Sequence, residues 1–87
     1  MKHDRKSLLT LGREIRRLRK ERHLSQNELA DLAGLSRNFI SMVERGERAV
    51  SVLTILDIAD ALRVAPAAMF AGYAAPMATQ NGSESNQ

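Results

Sequence analysis

Apolar residues recur along this chain at spacings of three and four, and the runs they form are bounded by residues suited to begin or end a helix. Leu8, Leu11, Ile15 and Leu18 fall on one stripe and predict a first helix over residues 7–22. Arg13, Arg17 and Lys20 share its opposite side, and Arg19 sits at the border of the apolar stripe. A second helix begins at Ser25, where Ser-Gln-Asn-Glu allows the Ser25 hydroxyl and the Glu28 carboxylate to cap each other's backbone amides. Leu29, Ala30 and Ala33 form its buried side. Gly34 suits a left-handed helix end, and Ser36 opens a third short helix with Ile40 and Val43 inward, ending at Gly46. Residues 47–50 read as a loop. Ser51 then caps a fourth helix with Val52, Ile55, Leu56, Ala59 and Leu62 on its apolar stripe. Pro66 fits the first turn of a short fifth helix through Phe70.

No strand pattern or repeat interrupts this series, so the fold class is all-α with five helices. Residues 79–87 are Thr, Gln, Asn, Gly and Ser with one Glu, too polar to offset the entropy of ordering. The expected organisation is a basic arm at 1–6, a helical domain at 7–73 and a flexible tail at 74–87.

The most informative unit is residues 26–45. Two short helices meet across a tight turn, with Ala30 where they cross closely, Gly34 at the turn and Ile40 and Val43 facing inward. Such a helix-turn-helix leaves the outer face of its second helix convex and free to enter a major groove. A plain helical hairpin is the alternative, but it would not require alanine and glycine at this spacing.

The charge distribution suggests a polyanion partner, with a first helix made basic for solubility as the alternative. Residues 1–23 hold nine Lys or Arg against three acids, whereas the rest of the chain holds four basic and seven acidic residues. There is no cysteine, which removes disulfide frameworks and thiolate metal sites. With neither a signal-peptide core nor a membrane-length apolar run, a soluble cytoplasmic protein is expected. His3 and His23 are isolated and make a poor metal site, and no catalytic grouping occurs, so neither cofactor nor enzyme activity is expected.

The segments Leu-Gly-Arg-Glu-Ile-Arg-Arg-Leu-Arg at 11–19, Leu-Ser-Gln-Asn-Glu-Leu-Ala at 24–30, Gly-Leu-Ser-Arg at 34–37 and Ile-Ser-Met-Val-Glu-Arg-Gly at 40–46 resemble the Xre and phage repressor/Cro family. The resemblance covers residues 8–70 and implies a five-helix, lambda-repressor-like DNA-binding domain. Within the family, residues 43–52 look most like the controller proteins of restriction-modification systems. That implies a homodimeric, autoregulatory transcriptional regulator. The competing readings are an antitoxin-type or phage-type repressor, or a protein-interaction module on the same scaffold.

With Ile40 and Val43 inward, Arg37, Asn38, Ser41 and Met42 lie on or beside the outward face. Arg37 matches guanine O6 and N7, and Asn38 matches adenine. Ser41 is adaptable, while Met42 either meets a thymine methyl or fills space. Phe39 leans into the core or bears on the DNA edge. Gln26 and Ser36, at helix starts, are candidate phosphate contacts, Ser36 also being a simple cap. Arg45, Arg48 and Arg17 are read as further phosphate contacts, or as solvated surface. Family resemblance implies a structural Arg19–Glu44 pair between helices one and three, with Arg19 as a phosphate ligand the alternative. One recognition helix reads few base pairs, so a palindromic operator and a homodimer are expected. Leu53 lies off the core stripe, and Met69, Phe70, Tyr73 and Met77 are more apolar than a solvated terminus requires, which places the dimer interface on helices four and five. Glu47, Asp57 and Asp60 are candidate RNA polymerase-facing acids or plain surface.

Overall fold

The computed structural model describes residues 5–72. Four α-helices and one 3-10 helix follow in order: α1 (Arg5–Glu21), α2 (Gln26–Ala33), α3 (Arg37–Glu44), α4 (Val52–Leu62) and the 3-10 helix (Pro66–Phe70). The expected fifth α-helix is therefore a 3-10 segment, and four α-helices are present among the described residues. Five residues opened by proline, with no side-chain cap, give too few i to i−4 bonds for an α-helix to persist. α1 starts two residues earlier than its periodicity predicted, so Arg5 and Lys6 belong to it rather than to a separate arm. Tyr73, Met77 and the tail at 74–87 lie outside the described residues, as does His3.

Capping follows the local sequence closely. The Ser25 hydroxyl accepts from the Glu28 amide at 3.0 Å while a Glu28 carboxylate oxygen accepts from the Ser25 amide at 2.7 Å. Ser36 and Ser51 cap α3 and α4 by accepting from the amides of Phe39 and Thr54. Gly34 ends α2 at φ 73°, a left-handed conformation, and the Leu35 amide bonds back to the Ala30 carbonyl at 2.8 Å. That closed turn brings α3 back against α2.

Ile15, Leu18, Leu29, Ala30, Ile40, Val43, Ile58, Ala59, Leu62 and Met69 form one core to which every helix contributes. On α4 the buried stripe is Ile55, Ile58, Ala59 and Leu62. Val52 and Leu56, predicted inward, are 71% and 41% exposed, because two overlapping three-and-four stripes exist on this apolar helix and the packing chose the other. Met69, expected at a dimer surface, is fully buried and closes the core. Arg22 donates to the carbonyls of Leu62 and Arg63 at 2.7 and 3.3 Å, tying the end of α1 to the open end of α4.

α1 and α3 touch at Gly12, a glycine in mid-helix where an alanine would favour the helix itself by about 1 kcal/mol. A Cβ there would lie 2.4 Å from the Val43 carbonyl oxygen and 2.8 Å from that of Glu44. Gly12→Ala should therefore destabilise the domain by about 1–3 kcal/mol despite its better helix propensity. Urea unfolding tests this, and an unchanged or raised midpoint would show that the two backbones have room to part.

Candidate nucleic-acid interface

The outer surface of α3 is held in place by a buried polar hub beneath its last turn. Arg19 from α1 donates through Nε to Glu44 Oε2 at 2.6 Å and through Nη2 to Glu44 Oε1 at 3.0 Å, a two-pronged pair. Its third nitrogen, Nη1, donates to the Leu24 carbonyl at 2.8 Å. Gln26, the first residue of α2, donates through Nε2 to Glu44 Oε1 at 3.1 Å. The side chains of Arg19 and Glu44 are 10% and 3% exposed, so an ion pair withdrawn from water is compensated on both sides. Three helices meet at one carboxylate.

This arrangement places the expected site residues in distinct groups. Arg37 and Asn38 are exposed on the first turn of α3, and neither side chain has a partner among the described residues. Met42 is half-buried one turn beyond Asn38. Ser41, expected beside the outward face, is buried at 8% exposure, and its hydroxyl accepts a hydrogen bond from Arg45 Nη1. The reason is helical: Arg45 lies one turn later and folds back over it. Ser41 is therefore withdrawn from the set that faces outward.

The phosphate candidates divide too. Ser36 is exposed and serves as the α3 cap, and Gln26 is half-buried through its bond to Glu44. Arg45 donates to Glu47 Oε1 at 3.1 Å as well as to Ser41. The hydrogen bond to Glu47 raises the Arg45 guanidinium above its ordinary value, and the same bond holds the Glu47 carboxyl below the usual carboxylate range. Arg48 sits over the Phe39 ring, 5.4 Å from its centroid, while Phe39 itself packs partly against the core. Arg17 does not fit its expected role. It is bound by Glu14 at 2.8 Å and Glu21 at 2.7 Å on its own helix, and it points roughly 160° around α1 from Arg19, away from α3. The Glu14 hydrogen bond is the main cause of its raised value.

Leu53 and Phe70 are 74% and 44% exposed, and with Val52 and Leu56 they make the apolar surface of α4 and the segment after it. Tyr73 lies outside the described residues. His23 is exposed in a left-handed conformation at the end of α1, and no cluster among the described residues could hold a metal ion.

Sequence reading missed the Gln26–Glu44 bond, Gly12 and the Arg45–Glu47 pair. Gly12 did carry a signal, since a glycine inside a periodic helix usually has a packing reason.

Two short helices joined across a tight turn, with Arg37 and Asn38 exposed and without partners among the described residues on the leading turn of the second, make a helix-turn-helix unit. Comparison with known proteins agrees. The HTH_3 family, described as helix-turn-helix, matches residues 15–68. This chain belongs to the HTH_3 helix-turn-helix family. The family comprises DNA-binding transcription regulators rather than enzymes. Among its solved relatives, the restriction-modification controller protein C.AhdI from Aeromonas hydrophila is 44% identical, with a TM-score of 0.72 over 72% of this chain and 96% of that one. The control protein C.SmaI of Serratia marcescens is 42% identical over 60% of this chain and 62% of its own length. The immunity repressor protein of Bacillus phage phi105 is 39% identical over 64% of this chain, a match spanning 39% of the repressor. Among the described residues, no helix of this HTH_3 protein is long and apolar enough to cross a membrane.

Arg19→Met should destabilise the domain by about 3–5 kcal/mol, because it strands the Glu44 carboxylate away from water. The double variant Arg19→Met/Glu44→Leu should recover much of that loss, as replacing both charges removes the desolvated group altogether. Chemical denaturation of the three proteins checks it: a double variant as unstable as the single one would mean that the pair contributes through attraction rather than through mutual compensation.

Proposed function

We propose that this HTH_3 regulator binds a palindromic operator as a homodimer and controls a restriction-modification system, including its own expression. The observation that carries the reading is the pair of unpartnered side chains, Arg37 and Asn38, on the leading turn of a helix anchored from below by Glu44. Arg37 reads guanine through O6 and N7, Asn38 reads adenine, and Met42 packs beside a thymine methyl. Gln26, Ser36, Arg45 and Arg48 meet the phosphates on either side and set the register. Likeness to C.AhdI and C.SmaI supports the controller role. A phage-type repressor is the second reading, favoured by the similarity to the phi105 immunity repressor. A restriction endonuclease gene beside this one, against a phage immunity region, separates the two.

Selection of bound duplexes from a random pool yields the operator. On it, Arg37→Ala and Asn38→Ala should each lose discrimination at one base pair per half-site, by about 1–3 kcal/mol, with little change in folding. A uniform loss across all sequences would assign these side chains to the phosphates instead.

The dimer reading places Leu53 and Phe70 at the twofold interface, where exposed apolar side chains would be covered. Leu53→Glu should give a monomer by light scattering and weaken operator binding. A dimer of undiminished stability in that variant would remove this face from the assembly.

A further inference from the structure

Beyond the end of α3, three charged side chains follow within four residues: Arg45, Glu47 and Arg48. Arg48 lies over the Phe39 ring, whereas Arg45 is shared between two acceptors of different kinds. Its Nη1 donates to the neutral Ser41 hydroxyl, which belongs to α3 itself. Its Nη2 donates at 3.1 Å to the Glu47 carboxylate, in a pair whose side chains are 53% and 39% exposed. Glu47 also feels the charge of Arg5 at the start of α1, so this one acid faces cations from two elements.

An acid at this place serves no buried network, because the anchoring of α3 is already complete at Arg19, Glu44 and Gln26. Nor is an exposed ion pair of this kind a substantial source of stability. What it does alter is the charge offered to a polyanion. Binding to non-specific DNA rests on basic side chains neutralising phosphates, and each such contact contributes to the salt dependence.

We infer that Glu47 is a built-in brake on sequence-independent DNA binding, competing with phosphate for the Arg45 guanidinium. This rests on the reading that Arg45 faces a phosphate. The two acceptors divide the work. Ser41 keeps the guanidinium directed along α3, and Glu47 occupies the nitrogen that a phosphate oxygen would otherwise take. Because the pair is exposed and weak, phosphate displaces Glu47 when base contacts fix the helix in register. On mixed sequence, where no base contact adds to the competition, the carboxylate holds its place and affinity stays low.

The full-length protein and a mixed-sequence duplex suffice as a test, with binding followed as salt is raised. Glu47→Gln should bind roughly three- to tenfold more tightly at low salt, with a log–log salt slope steeper by about one. Adding Arg45→Gln to that variant should abolish the gain. The brake is refuted if Glu47→Gln gains nothing, or if it gains as much in an Arg45→Gln background as in the wild type. If Glu47→Gln gains nothing while Arg45→Gln alone weakens binding, the brake falls and Arg45 remains a phosphate contact. Should removal of Arg45 leave affinity unchanged in both backgrounds, the phosphate reading of Arg45 falls as well.

Discussion

The carboxylate of Glu44 is the constraint on which the rest of this structure depends. At 3% side-chain exposure, it must find donors inside the protein, since an unpaired charge there would cost several kcal/mol, on the order of its lost hydration. Arg19 and Gln26 supply them from α1 and α2, so the requirement of one acid sets the positions of two other helices relative to α3. Gly12 permits the same convergence sterically, letting the backbones of α1 and α3 approach to a distance that a single methyl group would prevent. Attraction and close approach operate about two turns apart on one face of α1. Together they hold the last turn of α3 without using the exposed side chains of its first turn.

That economy matters because the outer surface has other work. Arg37 and Asn38 have no partner among the described residues, while four other cations do: Arg19 pairs with Glu44, Arg17 with Glu14 and Glu21, Arg45 with Ser41 and Glu47, and Arg48 lies over the Phe39 ring. Within the strongly basic first quarter of the sequence, Arg17 and Arg19 are thus held by acids of the protein itself. Exposed polar side chains on the first turn of α3 thus stand beside cations already held by acids. A protein that must find one site among many benefits from this balance, since specificity is the ratio of two affinities and phosphate contacts raise both.

A surplus of apolar residues on α4 has a separate consequence. Ile55, Ile58, Ala59 and Leu62 complete the core, leaving Val52, Leu53 and Leu56 exposed to different degrees on the outer side of α4. Phe70, the last residue of the 3-10 helix, is exposed as well. A contiguous exposed patch of this kind marks an interaction surface more often than it marks ordinary solvent-facing sequence.

Caps, helix order and the tight turn were readable along the chain because they depend on neighbours within about four residues. Ser25 with Glu28, Ser36, Ser51 and Gly34 carry that information locally, and the outward placement of Arg37 and Asn38 follows from the inward placement of Ile40. Contacts between distant residues were not readable in this way. Whether Val52 or Ile58 turns inward depends on where α2 and the 3-10 helix press, and a helix apolar on most sides satisfies both patterns. Gln26 could not be assigned to Glu44, Arg22 to the end of α4, or Ser41 to a buried position before the helices were brought together in space. Local hydrogen bonds and periodicity act through covalent proximity, whereas burial and charge pairing depend on which surfaces meet, and in this protein that is settled where three helices converge on Glu44.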